Sequence, residues 1–134
     1  MKVEEVMKKK VEFIEADAQL IDAIEIMVDK GIRSLLVKPS SEKDDYGVIS
    51  TTDVVLRALG LGLDPLKTKV KEIMTKPIIW LKKEVDITEV ANLMREHNVA
   101  RVFVKEDRQV IGVIALLDIT VALLRRKVIG PYVA

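Results

Sequence analysis

The stretch Gly47-Val48-Ile49-Ser50-Thr51-Thr52-Asp53 returns 65 residues later as Gly112-Val113-Ile114-Ala115-Leu116-Leu117-Asp118. The glycine, the branched apolar pair and the aspartate keep their spacing, while the hydroxyl-bearing residues between them change. The match continues upstream. At a shift of 67, Glu5 falls on Glu72, Met7 on Met74, Phe13 on Trp80, Leu20 on Ile87, Met27 on Met94 and Val37 on Val104. A loop from Ser40 to Tyr46, two residues longer in the first half, absorbs the change of shift. Apolar character is kept at nearly every matched position, so the chain reads as two copies of one unit.

Each copy has the same internal order. Residues 11–14 and 78–81 are short and apolar with β-branched and aromatic side chains, which suits strands. Leu20, Ala23, Ile24 and Met27, and again Ile87, Val90, Ala91 and Met94, have the i, i+3, i+4, i+7 spacing of a helix face. Asp86 with Glu89 has the spacing of a capping box, and Gln19 with Asp22 is a weaker version of it. Gly31 stands where a helix C-terminus wants glycine. Two strands follow in each copy, 35–37 with 47–50 and 102–104 with 110–114, then a closing helix over 52–59 and 117–126. The order β-α-β-β-α, twice, predicts an α/β (α+β) chain. It divides into a first unit at 1–60, a linker at 61–69 that opens on breaker residues, a second unit at 70–127 and a tail at 128–134. Units this small bury too little surface to stand alone and are expected to share a core, with Met7, Met27, Met74 and Met94 filling it.

Composition narrows the function classes. The chain has 134 residues, net charge +1, 49% hydrophobic and 32% charged residues, and no cysteine. A disulfide framework and a thiolate metal site are thereby excluded, and no global field draws the chain to nucleic acid or an anionic membrane. The opening Met1-Lys2-Val3-Glu4-Glu5 does not read as a secretory leader and no apolar run reaches membrane-spanning length, so a cytoplasmic protein without a leader is expected. Abundant Lys and Glu with few thermolabile residues fit a thermophile protein. His97 is the only histidine and lacks a partnered nucleophile, so no catalytic site and no metal site are expected. Trp80, matched to Phe13, is read as a core or cleft-wall aromatic. Lys8-Lys9-Lys10 and Arg125-Arg126-Lys127 are basic runs, read first as solvated faces.

The junction at residues 47–53 admits two readings. Ser50 and Asp53 fit a helix cap with an acidic first turn. Equally, a helix N-terminus with two hydroxyls, Ser50 and Thr52, suits a phosphate, and an acceptor-only Asp53 suits a ribose diol. The second copy keeps Asp118 without a capping hydroxyl, which favours a role beyond capping.

The repeated β-α-β-β-α unit, the opening Val70-Lys71-Glu72-Ile73-Met74-Thr75 and the Gly-x-x-Ser/Thr-x-x-Asp junction together resemble a tandem pair of CBS (cystathionine β-synthase) domains, a Bateman module. The resemblance covers essentially the whole chain. It implies two units related by pseudo-twofold symmetry, a non-catalytic regulatory role, and an adenine nucleotide (AMP, ADP, ATP or S-adenosylmethionine) bound between the units as a regulatory ligand, with no catalytic cofactor. It implies a homodimer and a separate regulated protein as partners. Carried onto matching residues, Asp53 would hold the ribose, Ser50, Thr52 and Arg33 the phosphate, and Ile78, Ile79, Val99 and Ala100 the adenine, with Thr75 nearby. A second, weaker site would use Asp118 and Arg101 against Val11, Glu12 and Ile32, since Ala115, Leu116 and Leu117 offer no hydroxyl. The competing reading is an interaction module without a ligand, holding nucleic acid through its terminal basic runs.

Overall fold

A computed structural model describes residues 1–129, the side chains of 127–129 excepted. The expected tail at 128–134 lies largely outside the described residues, and the closing helix runs on to Ile129. The chain forms two compact units. One is Glu12–Ile78; the other joins Met1–Val11 to the chain from Ile79 onward. Division by contact thus differs from division by repeat, because each opening segment packs with the other copy's strands and helices.

The first unit contains β1 (Phe13–Ile14), α2 (Leu20–Lys30), β2 (Ser34–Val37), β3 (Gly47–Ser50) and α4 (Val70–Ile73). The second contains α1 (Val3–Val6), β4 (Trp80–Leu81), α5 (Ile87–His97), β5 (Arg101–Glu106), β6 (Gln109–Ala115) and α6 (Leu116–Ile129). Each unit has one three-stranded sheet, its first pair parallel and its second antiparallel. The registers repeat: Phe13 pairs with Leu36 as Trp80 does with Phe103. In the first unit the closing helix is short. A single α-turn, α3 (Thr51–Asp53), runs into a wider π-type turn at Val54–Ala58 and a tight turn at Leu59–Leu61, which ends on Gly62 at φ 72°.

The opening segments explain the exchange. A helix leaves its first N–H groups without partners. In α2 the Leu20 amide donates to Thr68 O at 2.7 Å and the Ile21 amide to Pro65 O at 3.1 Å; in α5 the Ile87 amide donates to Met1 O at 3.0 Å. Val70 and Ile73 then enter the first unit's core beside Leu20, Leu35 and Ile49, and Val3 enters the second's beside Val90, Val102 and Ile114. The hydrophobic positions read from the sequence therefore fill two cores, one per unit. Met27 and Met94 are buried, one in each, while Met7 and Met74 are only half-buried.

Two local expectations need correction. Asp86 does cap α5, but by accepting from the Thr88 amide at 2.9 Å and hydroxyl at 2.8 Å, so Glu89 completes no box. At α2 the box does close from the acid's side, with Asp22 accepting from the Gln19 amide at 3.2 Å. Gly31 ends α2 at φ 64°, and Asn98 takes the same left-handed position after α5 at φ 52°, which few other side chains tolerate. The core reading of Trp80 fails as well. As the outward residue of a two-residue edge strand it is 43% exposed, and Lys105 Nζ lies 4.7 Å above its ring; Phe13 and Lys38 repeat the pair at 5.8 Å.

The long loop is tied down by charge. Asp44 pairs with Lys76 and accepts from the amide and hydroxyl of Ser40, and these bonds, the lysine's first, hold its carboxyl well below the usual range. A depressed folded-state pKa contributes stability that is fully present above the unfolded carboxylate value and is lost as pH falls through the depressed folded-state value. Asp44→Asn is therefore expected to melt below the parent at pH 7 and still below it at pH 3, with the gap closing only in stronger acid. Thermal melts at both values check this.

Candidate functional site

The repeated glycine has a packing reason. The strand β3 is flanked by the segment after α4: Val48 and Thr75 exchange backbone hydrogen bonds of 3.0 and 2.8 Å. A Cβ on Gly47 would stand 2.8 Å from Met74 Sδ and 3.3 Å from Thr75 O. In the second unit Lys8 and Val113 exchange the same two bonds at 2.8 and 2.9 Å. A Cβ on Gly112 would stand 2.6 Å from Met7 Sδ and 3.1 Å from Lys8 O. Glycine is thus demanded by the crossing chain in both copies.

Beyond the glycine, strand turns into helix. The Thr51 amide donates to Arg33 O at 2.9 Å, and in the second unit the Leu116 amide donates to Ala100 O at 3.1 Å. The Asp53 amide donates to Ser50 Oγ at 3.1 Å, while Asp53 Oδ2 accepts from the Ser50 amide at 3.0 Å and the Ser50 hydroxyl at 2.9 Å. This is a closed capping box. A serine has one hydroxyl proton, and Ser50 gives it to Asp53, so a phosphate at this turn would meet the exposed hydroxyls of Thr51 and Thr52 instead.

The other carboxylate oxygen is less committed. Asp53 Oδ1 has Thr75 Oγ1 at 3.5 Å and Arg57 Nη1 at 3.7 Å. Arg57 is itself fixed by donating to Ile73 O at 2.6 Å and to Thr75 Oγ1 at 3.3 Å. The pair is worth little to stability because Arg57 is half exposed. Its effect is local: it balances the charge of a carboxylate whose side chain is only 12% exposed. Arg57 was missed from the sequence, although its i, i+4 spacing from Asp53 is a readable signal.

The second junction changes the argument made for it. Asp118 has not lost its cap: Oδ2 accepts from the Ala115 amide at 2.9 Å. A carboxylate can satisfy that amide without any hydroxyl, so the retained aspartate is explained by capping in both copies. Its Oδ1 lies 3.5 Å from Lys8 Nζ. Lys8 is the repeat match of Thr75, so the cation that Arg57 supplies from the helix in one unit comes from the crossing segment in the other.

The first unit brings together Arg33, Ser50, Thr52, Asp53 and Thr75 at one end of β3, and it also contains Ile78, Glu12 and Ile32. Ile79, Val99, Ala100, Arg101, Val11 and Asp118 belong to the second. Arg101 does not take the place of Arg33. It is the first residue of β5, paired with Ala115 as Ser34 is paired with Ser50, and the match to Arg33 is Ala100. Side chains alternate along a strand, so the one-residue slip turns Arg101 to the other face.

The CBS-domain family model matches residues 3–60 and 70–125. The chain belongs to the CBS-domain family. It spans about half the length of several curated relatives that it matches. It is 32% identical over 127 residues to an inosine-5'-monophosphate dehydrogenase from Methanocaldococcus jannaschii, covering 94% of this chain and 24% of that one. Among solved structures it is similar to a hexameric CBS-CP12 protein from bloom-forming cyanobacteria, with TM-score 0.83, 32% identity, and coverage of 90% of this chain and 69% of that one. The CBS domain pair of protein MJ0100, solved with 5'-methylthioadenosine and S-adenosylmethionine, shares the fold at TM-score 0.79 and 24% identity, covering 91% and 98%. No helix of the described residues is long and apolar enough to cross a membrane.

Proposed function

We propose that this CBS pair is a non-catalytic regulatory module that binds an adenine nucleotide through the first junction. The observation that supports this most is the split duty of Asp53. One oxygen and Ser50 form a rigid cap, while the other oxygen has only long contacts and sits beside Thr75 and Arg57. A ribose diol could replace the 3.5 Å contact from Thr75 with shorter bonds to a charged acceptor. Thr51, Thr52 and Arg33 then supply exposed donors for phosphate. The adenosine ligands of the MJ0100 pair lend the ligand class. A partner would read the liganded state, whose population shifts only as far as the nucleotide's affinities for the two states differ. The screen is thermal melting with AMP, ADP, ATP and S-adenosylmethionine: a ligand at 100 times its Kd stabilises by about 2.7 kcal/mol. No shift with any of them removes the nucleotide reading and leaves an interaction module.

The two junctions are proposed to be unequal toward AMP. Leu116 and Leu117 stand where Thr51 and Thr52 stand, so the second offers no hydroxyl of that kind. Loss of two neutral hydrogen bonds weakens AMP by about 1–3 kcal/mol. In calorimetric titrations Asp53→Asn should weaken the tighter AMP site by about 10- to 100-fold and Asp118→Asn should leave it unchanged; the opposite result reverses the assignment.

A homodimer is proposed from exposed apolar residues on the closing helices. Leu56 and Leu59 are 66% and 73% exposed, and Leu123 and Leu124 are 38% and 64% exposed. Patches of this kind mark interaction surfaces. Light scattering at micromolar concentration is expected to give twice the chain mass, and a monomer there refutes the dimer.

A further inference from the structure

We propose that Arg57 couples the Asp53 junction to the segment 70–75, so that occupation of Asp53 Oδ1 loosens that segment. All of these residues lie in the first unit. One guanidinium nitrogen reaches three of its groups. Nη1 donates to Ile73 O at 2.6 Å and to Thr75 Oγ1 at 3.3 Å, and it stands 3.7 Å from Asp53 Oδ1. Ile73 is the last residue of the four-residue α4, and the residue four further on is Pro77, which has no N–H to give its carbonyl. Arg57 supplies that donor from the closing turn. Among the described residues no backbone hydrogen bond joins 51–61 to 70–75, so this side chain carries the tie.

The arrangement is particular to the first unit. By the repeat, Arg57 matches Ala122, and there the aspartate is met by Lys8 from the opening segment, at 3.5 Å from Asp118 Oδ1. The turn that carries Arg57 also differs from its match. The Leu59 amide donates to both Val54 O and Val55 O, which widens the turn, whereas α6 is an α-helix over the matching residues. Widened turns of this kind recur at functional sites.

A count of acceptors makes the coupling. Asp53 Oδ2 already accepts from the Ser50 amide and hydroxyl. A carboxylate oxygen accepts about two hydrogen bonds, so both hydroxyls of a ribose diol must go to Oδ1. Thr75 Oγ1 at 3.5 Å and Arg57 Nη1 at 3.7 Å then lose their acidic partner. Beyond Arg57, the backbone of the segment is held by Val48 and by two bonds to the approach of α2, from the Val70 amide to Ala18 O and from the Lys71 amide to Ala16 O. A change at Ile73–Thr75 is therefore passed towards the start of α2. The effect of a nucleotide rests on the reading of Asp53 as the ribose acceptor; the tie through Arg57 does not.

Hydrogen–deuterium exchange of the peptide covering 70–76 tests the two parts separately. Its Met74 and Thr75 amides are bonded to Val70 O and Val48 O and report opening. Without ligand, Arg57→Gln should exchange there at least ~10-fold faster than the parent, as loss of a charge-assisted bond implies, with residues 34–37 unchanged. Asp53→Asn keeps the cap but turns an NH2 group towards Arg57. It should speed the same peptide about two- to fivefold in the parent and add nothing in Arg57→Gln. Additive effects of the two variants, or unaltered exchange in Arg57→Gln, overturn the proposal. Arg57 is exposed, so its variant is expected to fold, which a melting curve verifies; Arg57→Lys, which keeps the charge but not the fork, carries the test if it does not. With saturating AMP, whose binding calorimetry verifies, the 70–76 peptide should exchange faster in the parent and show no further change in Arg57→Gln. Bound AMP that leaves this peptide unaltered or slows it in the parent, or that speeds it equally in the variant, also overturns the coupling. Absence of any nucleotide binding is seen by calorimetry alone and removes the nucleotide reading, while the ligand-free pair of variants still decides whether Arg57 links the junction to the segment.

Discussion

Asp53→Asn should lower affinity for an adenine nucleotide by about 10- to 100-fold while leaving the unliganded melting temperature almost unmoved. The amide oxygen of asparagine can still accept from the Ser50 amide and hydroxyl, so the cap survives. What disappears is the negative charge on the oxygen facing Thr75 and Arg57, and a charge-assisted bond is worth about 1.5–3 kcal/mol. At 1.4 kcal/mol per factor of ten, that gives the stated range. Asp53→Ala differs in kind. It also strips the part-buried Ser50 amide of its acceptor, at a cost of about 1–2 kcal/mol in folding. The pair of variants separates the two readings of the junction. If the aspartate is only a cap, alanine lowers the melting temperature and asparagine has no effect on any ligand.

Gly112→Val is expected to destabilise the second unit by about 1–3 kcal/mol, the usual cost of forcing carbon into a filled space. The added Cβ meets Met7 Sδ at 2.6 Å, which can swing away, but also Lys8 O at 3.1 Å. That oxygen is fixed because it accepts from the Val113 amide at 2.9 Å. Relief therefore requires the crossing segment to leave the sheet, which would also withdraw Val3 from the core. Gly47→Val meets a looser contact, 3.3 Å to Thr75 O, and is expected to cost less. Denaturant unfolding of both variants gives the order directly, and equal stability for parent and Gly112→Val would remove the close-approach account.

What was legible in the sequence was whatever follows from local periodicity. The faces of α2 and α5, the strand pairs after them and the αL position at Gly31 all depend on spacing within a dozen residues, and the structure keeps them except at Ala91, which α5 leaves exposed. The exchange of opening segments depends on contacts across most of the chain: the Ile87 amide finds Met1 O, and nothing in the local pattern says so. Arg101 was misjudged because a repeat aligned by charge slips by one residue, and one residue reverses a strand's faces. Asp118 was misread for a chemical reason, since a carboxylate caps an amide without a hydroxyl partner. Lys8 could have been found, because its repeat match to Thr75 was already fixed by the shift that aligns Met7 with Met74.

The central claim is that an adenine nucleotide is held at residues 47–53, and hydrogen–deuterium exchange tests it where the claim is made. Exchange is followed with and without saturating AMP, ATP or S-adenosylmethionine. The account predicts slowed exchange in the peptide that carries Ser50, Thr51, Thr52 and Asp53 for at least one of these ligands, and no such change in Asp53→Asn at the same ligand concentration. A ligand that binds by calorimetry yet leaves exchange across 47–53 unaltered would contradict it.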